Sequence, residues 1–193
     1  MLAKSMLFGT LTVLAAGSAL AQSNNAVNIV GTVDKVDANS ISLKGDGAGT
    51  VESFKLAPNF VVLQNRAATL ADIKPNDFVA SAARPGADGK LHSTELRIFP
   101  DVMRGVGEGQ RPMNDAQGRT MTNATVIGAV IVEGSNNIKV KFKGGESELI
   151  VDPGVPVTRI HTVDKSLVKA GAKVRVQGVR NADGASVSRI TVQ

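Results

Sequence analysis

The sharpest alternation in the chain is Ile138-Lys139-Val140-Lys141-Phe142-Lys143, apolar and basic in strict turn. A period of two places the apolar side chains on one face and the charged ones on the other. The segment therefore predicts a half-buried β-strand with its polar face in water. Gly144-Gly145 turns the chain, and Ser147-Glu148-Leu149-Ile150-Val151 predicts the returning strand. A similar hairpin is written earlier, from residues 40–44 through Gly45-Asp46-Gly47-Ala48-Gly49 to residues 51–56. Later, Asp88-Gly89 and Asp183-Gly184 supply the residue types that accept a positive φ in a tight hairpin turn. Gly31 and Gly128 interrupt apolar stretches, where glycine marks a bulge or a sharp bend at a barrel corner.

These elements occur twice. Ile29-Val30-Gly31-Thr32-Val33 matches Val126-Ile127-Gly128-Ala129-Val130 at a spacing of 97, and Asn39-Ser40-Ile41-Ser42-Leu43 matches Asn136-Asn137-Ile138-Lys139-Val140 at the same spacing. After a hairpin two residues shorter in the second copy, the spacing becomes 95. Pro58 then meets Pro153, Ile73-Lys74-Pro75-Asn76 meets Val168-Lys169-Ala170-Gly171, and Asp88-Gly89 meets Asp183-Gly184. A constant offset broken by one gap is the mark of an internal duplication. It predicts two homologous units, roughly residues 26–99 and 124–193.

Each unit reads as about six short strands. Leu70-Ala71-Asp72-Ile73-Lys74 and Lys165-Ser166-Leu167-Val168-Lys169 each predict a single helical turn able to plug one end of a barrel. The expected class is all-β: two tandem small β-barrels of the oligonucleotide/oligosaccharide-binding (OB) type, joined by a Gly-rich loop. A β-sandwich is the alternative, because alternation does not distinguish open from closed sheets. The resulting division is 1–21 signal peptide, 22–99 first barrel, 100–123 connector and 124–193 second barrel.

The order Gly-x-Val, an Asn-Ser-Ile-Ser-Leu strand, Ile-Lys-Pro-Asn-Asp-Phe-Val and Asp-Gly before a last strand resembles the small exported bacterial β-barrel domains of unknown function grouped as DUF5666. The resemblance covers both copies. It implies an exported location and a barrel fold, and it carries over no catalytic residues. The family usually has Gly where this chain has Asn76, a substitution within a turn.

The N-terminus agrees with export. Lys4 precedes an apolar run from Met6 to Ala16, followed by Gly17, Ser18 and Ala19-Leu20-Ala21. The run is shorter than the about 20 residues that cross a bilayer. A positive start, a short apolar core and small residues at −3 and −1 predict a signal peptide cleaved after Ala21 and a soluble periplasmic or secreted product without a transmembrane segment. The chain has no Cys, so neither a lipid on an N-terminal cysteine nor a disulfide is available. Removing Lys4 leaves 21 basic against 17 acidic side chains, a mild excess.

Between the units, residues 100–123 lose all period. Gly105, Gly107 and Gly109 do not match a phosphate-binding loop, which needs a preceding strand, a following helix and another spacing; Pro112 opposes the helix. Met103, Met113 and Met121 lie in or beside this segment and are candidate soft ligands for copper(I), with packing against the barrels as the plainer reading. Arg104, Arg111 and Arg119 read as solvated charges or as a site for an anion.

The residues that enzyme chemistry needs are sparse. His92 and His161 fall at non-corresponding positions and read as rim residues; there is no His-Glu-x-x-His and no Gly-x-Ser-x-Gly. Barrels that bind nucleic acid or sugars present aromatic platforms. This chain has no Trp or Tyr, and Phe54, Phe60, Phe78, Phe99 and Phe142 mostly read as core, so nucleic acid is not expected. Lys139, Lys141 and Lys143, with Arg175 on a later strand, form the remaining feature: lysines guarding an edge, or a contact with anionic lipid headgroups or envelope polymers. The expectation is a non-enzymatic, cofactor-free envelope module binding an unknown envelope protein or an anionic surface. A copper accessory protein using the connector methionines is the alternative.

Overall fold

In the computed structural model the alternation becomes burial. Ile138 and Val140 are fully buried while Lys139 and Lys141 are exposed, and every expected hairpin forms. The structure describes residues 25–45, 49–132 and 135–193. The expected signal peptide and the tip of the first hairpin, residues 46–48, lie outside the described residues. The protein is all-β. Among the described residues no helix is long and apolar enough to cross a membrane.

Among the described residues twelve strands follow one another: β1 (Ala26–Val36), β2 (Ser40–Gly45), β3 (Val51–Ala68), β4 (Phe78–Pro85), β5 (Leu91–Phe99), β6 (Gly109–Pro112), β7 (Thr120–Val132), β8 (Ser135–Phe142), β9 (Gly145–Ile150), β10 (Val157–Thr162), β11 (Lys173–Asn181) and β12 (Gly184–Val192). The predicted helical turns are 3-10 segments, Leu70–Asp72 and Lys165–Leu167.

The pairing departs from the expected self-closure of each copy. β1, β2 and β3 come from the first copy, yet β1 pairs antiparallel with β11 and β3 pairs parallel with β12, which closes a five-stranded barrel with strands from both ends of the chain. Reciprocally, β7, β8 and β9 of the second copy pair with β4 and β5 of the first. A short parallel contact, Leu91 to Leu149 and His92 to Ile150, closes this second ring. Relative to the two expected units, the last two strands of each complete the ring of the other.

The length of β3 explains how. At about 3.3 Å per residue an 18-residue strand reaches roughly 60 Å, about three times a usual strand. It therefore leaves the first barrel and pairs antiparallel with β10, from Leu63–Thr162 to Ala68–Val157. β10 also pairs parallel with β5, so the rings share one continuous sheet path.

The core follows the exchange. One cluster joins Val33, Ile41, Leu43 and Phe54 to Val174, Val176 and Ile190; a second joins Val79, Leu96 and Ile98 to Val126, Ile138 and Leu149. Ile73, after the first 3-10 turn, belongs to the second cluster, and Val168, after the other, to the first. Leu63, Met103 and Ile160 form a small third cluster where the rings meet. Phe54 and Phe78 are fully buried; Phe60, Phe99 and Phe142 are partly buried against these clusters.

The two mid-strand glycines separate in role. Gly128 sits at a register shift between β7 and β8, the expected bulge, whereas a Cβ on Gly31 would stand 2.7 Å from the Lys44 carbonyl oxygen, so there the constraint is close approach of backbone. The connector is folded rather than structureless. Asp101–Met103 is a 3-10 turn, β6 pairs with β7, and β7 begins at Thr120 inside the expected connector.

Candidate functional site

Along β11 the buried Val174 and Val176 alternate with Arg175 and Gln177, and on β12 the buried Ile190 lies between Arg189 and Thr191. Register places Arg175 opposite Thr191 and Gln177 opposite Arg189, so all four share the outer face of the barrel. Arg175 donates from Nη1 to Asn28 Oδ1 at 3.0 Å, and Arg189 from Nη1 to Gln177 Oε1 at 3.4 Å. On β5, Arg97 faces the same space and donates from Nη2 to Glu95 at 2.8 Å.

These three guanidinium groups line a cleft of about 390 Å³ at the ring junction, with Leu63, Met103 and Ile160 among its walls. Among the described residues no acidic side chain lines it. Among the described residues Arg175 and Arg189 form no ion pair, whereas Arg97 is partly neutralised by Glu95. The Nε of Arg189 is buried without a hydrogen-bond partner. Burial pushes the Arg189 guanidinium below its ordinary value, although a guanidinium stays charged at any physiological pH. A partly desolvated cation without an ion pair is best satisfied by a carboxylate or phosphate, here at the part of the guanidinium that lines the cleft, since Nε itself is closed to solvent.

The expected repeat supplies an internal comparison. At the spacing of 95, Lys173, Arg175 and Gln177 correspond to Phe78, Ala80 and Ala82. In the second ring that face is apolar, buried and covered by the connector: Asn123, opposite Ala80, donates from Nδ2 to the Val106 carbonyl at 2.9 Å. In the first barrel the corresponding face is polar and open to the cleft.

The residues singled out from the sequence fall elsewhere. Lys139 and Lys141 are exposed on β8, and Lys143 follows it. β8 is not an edge, since β7 and β9 flank it. Its lysines face acids: Lys139 is opposite Glu148, Lys141 Nζ lies 3.5 Å from Glu146, and the Lys143 amide donates to Glu108 Oε1 at 3.0 Å. Arg175, grouped with these lysines in the expected second unit, sits in the other ring because β11 pairs with β1.

Met103 is buried at the junction. Met113 and Met121 are on the β6–β7 hairpin, where Met113 N donates to Arg119 O and Met121 is opposite Arg111. Among the described residues no three His, Asp or Glu side chains are grouped to hold a metal ion. Arg104 and Arg119 pair with Asp101 and Asp115, and Arg111 donates to the Gly107 carbonyl.

His161, on β10, is opposite Gln64. His92 is more engaged. Its Nδ1 lies 2.8 Å from Asp152 Oδ2 and its Nε2 3.2 Å from Asp88 Oδ1, at the seam where β5 meets β9. The hydrogen bond with Asp152, then that with Asp88, raises the imidazole above its usual value against the opposing effect of burial.

In the sequence Arg175 stands out only as a neighbour of the lysines, and Arg97 and Arg189 are not singled out. The replacement of Phe78-x-Ala80-x-Ala82 by Lys173-x-Arg175-x-Gln177 between the copies was the available signal. No protein-family model, curated protein or solved structure matches the chain.

Proposed function

We propose that the processed chain is a non-enzymatic, periplasmic or secreted module of the bacterial envelope that holds an anionic partner in the junction cleft. The observation that carries this reading is the set Arg97, Arg175 and Arg189 around one cavity, with the Arg189 Nε buried and unpaired. Export rests on the N-terminal pattern ending in Ala19-Leu20-Ala21. The finer fold reading belongs with it: two five-stranded rings, each with a 3-10 turn, are copies of one OB-like barrel unit of the DUF5666 kind. The lysines of β8 are a poorer anion site, because Glu146 and Glu148 stand opposite Lys141 and Lys139.

Titration of inorganic phosphate into the isotope-labelled protein, followed through the arginine Nε–H signals, tests the reading. Saturable shifts at Arg175 and Arg189 that weaken with added NaCl are expected, with affinity falling about tenfold in Arg189→Gln, the loss of one charge-assisted contact. Signals that never move, or binding indifferent to both arginines, would remove the cleft as the functional site. Mass analysis of the periplasmic protein is expected to find Gln22 at the N-terminus.

A further inference from the structure

The chemistry of the cleft is two-sided, and anion binding alone accounts for only one side. One wall is the outer face of the first barrel, with Arg175 and Arg189; beside it lie Leu63, Met103 and Ile160, the small apolar cluster that belongs to neither ring core. A site for a free inorganic anion has no use for an apolar wall, since small oxyanions are best surrounded by donors. A site for a flat polyanion would place its cations on a convex surface, not around a recess. The volume, about 390 Å³, lies at the small end of the roughly 300–1,000 Å³ typical of ligand pockets. That accommodates an acidic head and a short hydrocarbon stem, not a complete lipid.

We infer that the cleft binds an amphiphilic organic anion, a carboxylic acid or phosphate monoester on a short apolar stem. Arg175 and Arg189 hold the head, and Leu63, Met103 and Ile160 receive the stem. This rests on the anion-binding reading above and sharpens it. The three apolar residues are themselves nearly buried, at 1%, 5% and 7% exposure, so most of the gain comes from the stem leaving water. Arg97, already shared with Glu95, closes the remaining side of the recess. The same chemistry is presented by a soluble organic acid and by the head and first carbons of a membrane lipid.

The test is a chain-length series on the full processed protein. Ethyl, butyl, hexyl and octyl phosphate, each below its micelle concentration, are titrated calorimetrically beside inorganic phosphate. Affinity is expected to rise about fourfold per methylene and then level off once the recess is filled. Arg175→Gln with Arg189→Gln should lower affinity for every member by a similar factor and leave the slope with chain length intact. Affinity independent of chain length, with phosphate still bound at the arginines, overturns the inference and leaves the anion site standing. Loss of all binding, phosphate included, overturns both. Flotation with vesicles containing phosphatidate separates the two sources. Retention displaced by octyl phosphate assigns a lipid head, whereas no retention with the series intact assigns a soluble acid. Retention that octyl phosphate leaves unchanged counts against the cleft as the lipid's site.

Discussion

Asn76 has φ 70° and its counterpart Gly171 has φ 84°, so the turn after each 3-10 segment needs a left-handed residue, and Asn is the non-glycine type that supplies it at least cost. Other single positions carry consequences that appear only when residues distant in sequence meet. His92 is one. Because Asp152 and Asp88 raise its pKa in the folded chain, the protonated ring stabilises the fold. That contribution is complete below the unfolded value of about 6.5 and disappears as pH rises through the higher folded value. The melting temperature of wild type should therefore fall between pH 6 and pH 8.5 relative to His92→Gln. A variant that keeps the wild-type slope would show that the seam takes nothing from this proton.

At the scale of elements, the connector changes most from expectation. Without periodic apolar positions it reads as a loop, yet β6 adds to the free side of β7 and Met103 enters the junction cluster. A thioether buried beside Leu63 and Ile160 behaves as a filler of apolar space. Met103→Ala should cost about 2–5 kcal/mol in urea unfolding, and Met103→Leu less than about 1.5 kcal/mol. A cost below about 1 kcal/mol for the alanine variant would mean that the connector is not part of the core. The lysine strand teaches the converse. Its pattern gave the correct face and burial, but Glu146 and Glu148 stand opposite Lys141 and Lys139 through hairpin register, which turns a basic stripe into a mixed one.

For the whole molecule the exchange of strands is the organising fact. The sequence pattern allows two closures, since the backbones of β4 and β11 can each offer a strand's hydrogen bonds to β1 or β7. The pairing observed ties the ends of the chain together, with β1 beside β11 from Ala26–Val179 to Thr32–Lys173. A paired antiparallel position has Cα atoms about 4.5–5.5 Å apart, within disulfide reach, and the protein has no cysteine of its own. Ala26→Cys with Val179→Cys should thus oxidise within the monomer. Ala26→Cys with Arg84→Cys, the pair that self-closure would bring together, should stay reduced. The reverse outcome would mean that each copy folds on itself. The exchange also explains the site: it sets the polar outer face of β11 and β12 against the junction, where β3, β5 and the connector meet it.

Local chemistry was enough to determine the all-β class, the hairpins, the two 3-10 turns and most of the core, because each depends on alternation, turn residues and burial within a few positions. Which copy completes which ring, whether the connector is ordered and which arginines converge were decided by the tertiary structure alone. The reason is physical. Two repeats with the same pattern offer the same hydrogen bonds to either partner, so only long-range packing around the 18-residue β3 chooses between them, and the cleft exists only once that choice is made.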